Sequence, residues 1–320
     1  MESALEDWAT QIRSGDVRAL SRAVTAIENH APEGEALLRR LFPQTGRAFR
    51  VGITGAPGSG KSTLVDRMAA QYRARGKGVG IIAVDPSSPF TGGAILGDRV
   101  RMQGHANDEG VFIRSMATRG FLGGLAQATG DVSLLLDAAG KEAILIETVG
   151  VGQAEVEIAR LAECTVVVLM PGTGDEVQNL KAGLMEVADI FVINKFDRPD
   201  AERFEQSLRA VLELVPEREG WKAPVVRTVA TENKGVDELA QQIALFAEHR
   251  AKSRAPAGQT AYWKEWLLRL LQMKLLESAL GRAGSEQEFD RLATDVAARK
   301  TDPYAAVDEM VKRTRDHFQP

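Results

Sequence analysis

Gly55-Ala-Pro-Gly-Ser-Gly60-Lys61-Ser62 is a complete G-x-x-x-x-G-K-S run. It lies between Phe49-Arg-Val-Gly-Ile-Thr54, which reads as a strand, and a helical stretch whose Leu64, Val65, Met68 and Tyr72 share one face. Strand, glycine-rich loop and helix in that order form a phosphate cradle. The glycines let successive backbone N–H groups turn inward, so Gly55, Ala56, Pro57, Gly58, Ser59 and Gly60 are expected to wrap a polyphosphate. The helix beginning near Ser62 adds its positive end. Lys61 is expected to reach the β- and γ-phosphates, Ser62 to offer its hydroxyl to Mg²⁺, and Gly76 to end the helix.

Outward from this loop, β-branched runs alternate with helical segments from residue 49 to about 249. The strand candidates are Val79 to Asp85, Ala143 to Thr148, Cys164 to Met170, Ile190 to Lys195 and Pro224 to Ala230. Apolar strands separated by helices predict an α/β fold, a mostly parallel sheet with helices on both faces. Ligands of such sheets bind at the carboxyl ends of the strands. Residues 1–46 read as an N-terminal helical extension, 47–250 as the nucleotide-binding domain and 251–320 as a C-terminal helical extension. In the last, Trp263, Trp266, Leu267, Leu270, Leu271 and Leu275 recur at helical spacing. That stripe either packs on the parent domain or forms a dimer interface.

The chain has 320 residues, 40 basic against 44 acidic, one cysteine and four scattered histidines. A charge of −4 gives no reason to expect nucleic acid or an anionic membrane as partner. No leader-like or membrane-spanning run is evident, which predicts a cytoplasmic protein. Cys164 reads as a small core residue, and no Cys/His cluster suits a soft metal.

Asn194-Lys195-Phe196-Asp197 follows the strand Ile190-Phe-Val-Ile193 and matches an N-K-x-D guanine reader. Guanine presents N1–H and an exocyclic amine side by side, which one carboxylate can accept together, whereas adenine has an acceptor at N1. Asp197 is therefore expected to select guanine. Asn194 is expected to touch the other edge of the base and brace the loop, and the stem of Lys195 to lie over the ring. At the end of the last strand, in Thr228-Val-Ala-Thr231, Ala230 is expected to offer its backbone N–H toward the guanine carbonyl, with Thr228 beside it at the base. Mg²⁺ prefers hard oxygen ligands, and Asp85, Asp98 and Glu147 are the carboxylates at suitable positions. Gly150, in Glu147-Thr-Val-Gly150, is expected to give its N–H to the γ-phosphate.

These residues resemble the MeaB/ArgK group of P-loop GTPases, chaperones of adenosylcobalamin-dependent acyl-CoA mutases of the methylmalonyl-CoA mutase type. The resemblance extends to Ser14-Gly-Asp-Val-Arg-Ala-Leu-Ser-Arg-Ala23, to Val84-Asp-Pro-Ser-Ser-Pro-Phe-Thr-Gly-Gly-Ala-Ile-Leu-Gly-Asp98 and to Glu147-Thr-Val-Gly-Val-Gly-Gln153. It implies a P-loop NTPase fold and a GTP-hydrolysing enzyme that cycles between GTP and GDP with Mg²⁺. Lys61, Ser62 and Thr63 would serve phosphate and metal, and Asp85, Asp98 and Glu147 would surround the metal. Residues 85 to about 105 and 147 to about 160 look like two switches, and Pro171 to Lys181 like a third mobile loop, with Asp175, Gln178 and Lys181 its coupling candidates. The implied partner is the mutase, with its adenosyltransferase the other candidate for the main contact, and no cobalamin is expected on the chain itself; the homodimer is an expectation from the apolar stripe of the C-terminal extension.

One departure is that Asn194-Lys-Phe-Asp-Arg-Pro199 looks more like the G-domain of isobutyryl-CoA mutase fusion proteins than the Asn-Lys-Ala-Asp-Gly of stand-alone members. Lys61, Asp98, Glu147 and Gln153 are the candidate catalytic residues. No one of Asp98, Glu147 and Gln153 stands out as the group that activates water, and an arginine from the partner could serve. A GTP-dependent metallochaperone, a small-molecule or protein kinase and a structural assembly factor that binds GTP without turnover are the alternatives. The first lacks its Cys/His cluster, and the second lacks a marked acceptor pocket.

Overall fold

The computed structural model describes residues 2–85, 103–105, 108–117, 124–148, 161–172, 182–253, 256–280 and 285–316. It divides into two compact units, Met1–Ser253 and Arg254–Pro320. The first is built on a seven-stranded sheet with every pairing parallel. Its strands are β1 (Phe49–Thr54), β2 (Val79–Asp85), β3 (Val111–Ala117), β4 (Ala143–Thr148), β5 (Cys164–Leu169), β6 (Ile190–Asn194) and β7 (Val225–Thr228), in spatial order β3-β2-β4-β1-β5-β6-β7. From β1 the chain moves first to one side of the sheet and later to the other. The loop leaving β1 therefore lies at the topological switch point, where such sheets bind ligands.

Both faces of the sheet are covered. Helix α4 (Lys61–Ala74) packs Leu64, Val65, Met68 and Tyr72 into one core with Val51, Ile53, Val166 and Val168. On the other face, α5 (Gly124–Ala138) brings Leu136 so close to Gly80 that a Cβ there would lie 2.8 Å from the leucine Cδ1. Beyond α5 lie α1 (Glu2–Arg13), α2 (Val17–Glu28) and α3 (Pro32–Leu41), with Leu20, Val24, Ile27 and Leu37 buried. Asp137, in the last turn of α5, accepts the N–H groups of Gly46, Arg47 and Ala48 (2.5, 3.1 and 3.0 Å) and so fixes the entry into β1. Cys164 is wholly buried, and burial pushes its thiol pKa well up.

Strand β3 lies outside the strands expected from sequence. It is an edge strand in which Arg114 and Ser115 interrupt the apolar run, and Arg114 reaches Glu28 of α2 (Nε to Oε1, 3.0 Å). Helix α4 ends as expected: Gly76 has φ +76°, and Lys77 donates back to the Tyr72 carbonyl at 3.1 Å. At the amino end of β6, Asp189 is 3% exposed, pairs with Arg218 and accepts the Thr165 N–H (2.8 Å). Burial pushes its pKa up to about 6 despite the arginine.

Between β5 and β6 runs α6 (Ala182–Val187), between β6 and β7 runs α7 (Ala201–Leu212), and α8 (Val236–Ser253) follows β7. Helix α8 continues three residues past the expected domain limit. The second unit contains α9 (Pro256–Leu280), α10 (Ser285–Ala297) and α11 (Pro303–Asp316), with Trp266, Leu292 and Ala306 buried. Arg291 of α10 pairs with Glu309 of α11 at 3.3 Å. The apolar residues of α9 do not all turn inward: Leu267, Leu271 and Leu275 are 61, 54 and 52% exposed. No helix among the described residues is long and apolar enough to cross a membrane.

Candidate nucleotide site

The loop between β1 and α4 has its shape because glycines stand where side chains cannot. Gly55 has φ +142°, and a Cβ there would lie 2.1 Å from the Val168 carbonyl oxygen of β5. Gly60 has φ +93°, and a Cβ there would lie 2.2 Å from Asn194 Nδ2. The first glycine seats the loop against the sheet, and the second leaves room for a side chain from the N-K-x-D segment. Gly60 is also the N-cap of α4, and no side chain caps that helix end. The first-turn N–H groups and the positive end of the helix dipole are thus left for an anion.

Lys61 is 6% exposed, and its ammonium donates to the carbonyls of Gly55 (2.8 Å) and Ala56 (3.0 Å). It sits over the loop that it is expected to serve. Ser62 donates through Oγ to Glu147 Oε1 at 2.6 Å, although the two residues are far apart in sequence. Parallel pairing of β1 with β4 places the end of β4 beside the start of α4 and so brings them together. Glu147 is 6% exposed, and two hard oxygens meet there at the carboxyl edge of the sheet. That donor set suits Mg²⁺. Asp85 ends β2 one residue beyond the pairing of Val84 with Thr148, so its backbone lies at the same edge. Asp98, Gly150 and Gln153 lie outside the described residues, as do Asp175, Gln178 and Lys181.

Asn194 ends β6 and is 3% exposed. Its Nδ2 donates to the Ser59 carbonyl (2.8 Å), and its Oδ1 accepts from Thr228 Oγ1 (3.0 Å) and from the Ala230 N–H (3.1 Å). One amide therefore braces the phosphate loop and the loop after β7, as expected of its bracing role. The Ala230 N–H, expected to face a base, is here engaged by that amide. Lys195, at φ +58°, donates from Nζ to the Gly58 carbonyl at 2.8 Å. Asp197 is exposed. Its charge reaches Lys234, whose pKa is raised first by its hydrogen bond to Glu232 and further by Asp197.

Sequence reading did not single out the contacts that hold this segment. Phe196 donates its N–H to the Thr228 carbonyl (3.1 Å), and Arg227 lies over its ring, 4.8 Å from the centroid. Arg198 donates from Nη1 to the Pro171 carbonyl at 2.8 Å. The only available signal was the placement of Arg198 directly after the motif.

The family model described as Methylmalonyl Co-A mutase-associated GTPase MeaB matches residues 20–283. The chain belongs to the MeaB family of GTPases. A Pyrococcus abyssi relative is 46% identical over 311 residues, covering 96% of either chain. GTPase ArgK of Escherichia coli K12 is 36% identical over 302 residues, covering 91% of this chain and 89% of its own. A crystal structure of a LAO/AO transport system kinase superposes with a TM-score of 0.72 at 27% identity, covering 98% of this chain and 99% of that one. This MeaB-family chain is thus a P-loop enzyme that hydrolyses GTP.

Proposed function

We propose that this GTPase gates the loading and protection of the cobalamin cofactor of an adenosylcobalamin-dependent acyl-CoA mutase. The observation that carries the reading is the Asn194 amide, which joins the phosphate loop to the loops expected to read guanine. Base recognition and phosphate binding then share one rigid part. The family description, with its mutase-associated GTPase, supports the choice of partner.

In this reading residues 55–60 wrap the polyphosphate, which the backbone N–H groups of those other than Pro57 and the ammonium of Lys61 would hold. For Lys61 this means exchanging carbonyls 55 and 56 for phosphate oxygens, a stronger, charge-assisted pairing. Ser62 and Glu147 would hold Mg²⁺ with Asp85 and Asp98, and Thr63 would support the phosphates. The bound ion would offset charge on the phosphate oxygens. Asp197 would accept N1–H and the amine of guanine, with Lys195 along the ring and Thr228 and Ala230 behind it. Gly150 would sense the γ-phosphate, and Asp98, Glu147 or Gln153 would orient the attacking water. Segments 85–105 and 147–160 would change order with the γ-phosphate.

Such a switch works only if its GTP and GDP states bind the mutase with different free energies, about 1 to 3 kcal/mol apart. The adenosyltransferase would act as donor of cobalamin, with none held by this chain. The half-exposed leucines of α9 support a homodimer.

The test is GTP turnover with and without a cobalamin-dependent acyl-CoA mutase. Acceleration by the mutase, with loss of GTP preference in Asp197→Ala, is the expected result. Unchanged turnover with no complex would reject the mutase as client.

A further inference from the structure

Asp197 is exposed, yet both its sequence neighbours are anchored. On one side, the Arg198 N–H closes a turn onto the Lys195 carbonyl (3.1 Å), while its guanidinium crosses from the end of β6 to the loop after β5 and donates to the Pro171 carbonyl (2.8 Å). Gly172 makes space for that crossing: a Cβ there would lie 2.7 Å from Arg198 Nη1. On the other side, Phe196 is held through its N–H by Thr228 and through its ring by Arg227. Arg227 is itself aimed by Glu205, whose Oε2 accepts from Arg227 Nε at 2.8 Å. Glu205 is 3% exposed and also pairs with Arg209 at 2.8 Å. The carboxylate of Asp197 therefore projects from a peptide fixed on one side by Arg198 of its own loop and on the other by Arg227 of β7.

A carboxylate that must accept two parallel N–H bonds tolerates little rotation, because a turn of the peptide takes at least one of the two bonds out of length or alignment. A solvent-facing aspartate with free neighbours would sample many orientations and lose that discrimination. We propose that Arg198 and Arg227 are positioning residues for base selectivity: they touch no part of the nucleotide but set the orientation from which Asp197 reads it. The inference rests on the reading of Asp197 given above. It adds that selectivity resides as much in these two clamps as in the motif itself.

The experiment is equilibrium binding of GDP, IDP and ADP to the full chain. IDP lacks the exocyclic amine of guanine, so the GDP-to-IDP affinity ratio reports the placement of Asp197. ADP reports the phosphate loop alone. Both arginines are exposed, and Arg198→Ala and Arg227→Ala are expected to remain folded. Each is expected to lower the GDP-to-IDP ratio about tenfold, with ADP affinity changed less than about twofold. Arg198→Lys, which can still donate to the Pro171 carbonyl, should recover part of the ratio; Arg227→Lys, lacking a planar cation over the ring, should recover less. If the parent chain discriminates, Asp197→Ala does not, and both alanine variants keep the full ratio, the clamps have no such role. A parallel loss of ADP binding would also overturn it, by showing general damage to the site. Equal binding of GDP and IDP by the parent chain would instead remove the guanine-reading assignment of Asp197.

Discussion

Ser62 and Glu147 meet through a 2.6 Å hydrogen bond, and these are the two oxygens proposed for Mg²⁺. Glu147→Gln keeps an acceptor for the serine but removes the charge. It is expected to raise the Mg²⁺ concentration needed for half-maximal GTP hydrolysis by about tenfold or more. Titrating turnover with Mg²⁺ after EDTA treatment measures this directly, and an unchanged midpoint would take Glu147 out of the metal site. Residues of this kind were legible because their chemistry is local: a lysine and a serine after glycines, and a carboxylate at a strand end. Arg198 and Arg227 were not, because their partners, Pro171, Phe196 and Glu205, are brought to them only by the order of the strands. The position of the Ala230 N–H was likewise hidden, since it depends on which way the Asn194 amide turns.

At the scale of elements, the phosphate loop makes a close joint with β5. Gly55→Ala combines an unfavourable φ of +142° with a clash against the Val168 carbonyl, which is backbone and cannot move alone. The variant is expected to lose about 3 kcal/mol of stability in urea unfolding. Asp189, at the start of β6, gives a second expectation. Its folded pKa is raised to about 6, so the folded state holds a proton that the unfolded state releases at lower pH. Its contribution to stability is therefore greatest below the unfolded value and is lost as pH rises through 6. Relative to Asp189→Asn, the parent chain should lose about 2 kcal/mol between pH 4 and 7, as followed by chemical unfolding across that range. A flat difference would mean that Arg218 keeps the carboxylate ionised. Most strands were legible from their unbroken apolar runs, as in Ala143–Thr148, where every residue is buried. Strand β3 was not, because an edge strand can carry Arg114 within it and needs only one neighbour.

For the whole molecule, the apolar stripe of α9 was visible in the sequence, but its division between a buried Trp266 and exposed Leu267, Leu271 and Leu275 was not. Periodicity shows which residues share a face, and packing decides which faces find a partner. If these leucines join two copies, light scattering should give twice the chain mass of 34.7 kDa. The double substitution Leu271→Glu and Leu275→Glu should return the mass to that of one chain while basal GTP hydrolysis persists. A parent chain that is already monomeric would end the dimer proposal. The burial of Cys164 has a further, practical consequence. The sequence contains no other cysteine, and this thiol is wholly enclosed and held in its protonated form. The native chain should therefore be silent toward maleimide dyes, so one cysteine introduced at any chosen surface position can carry a fluorophore without background and with the core unaltered.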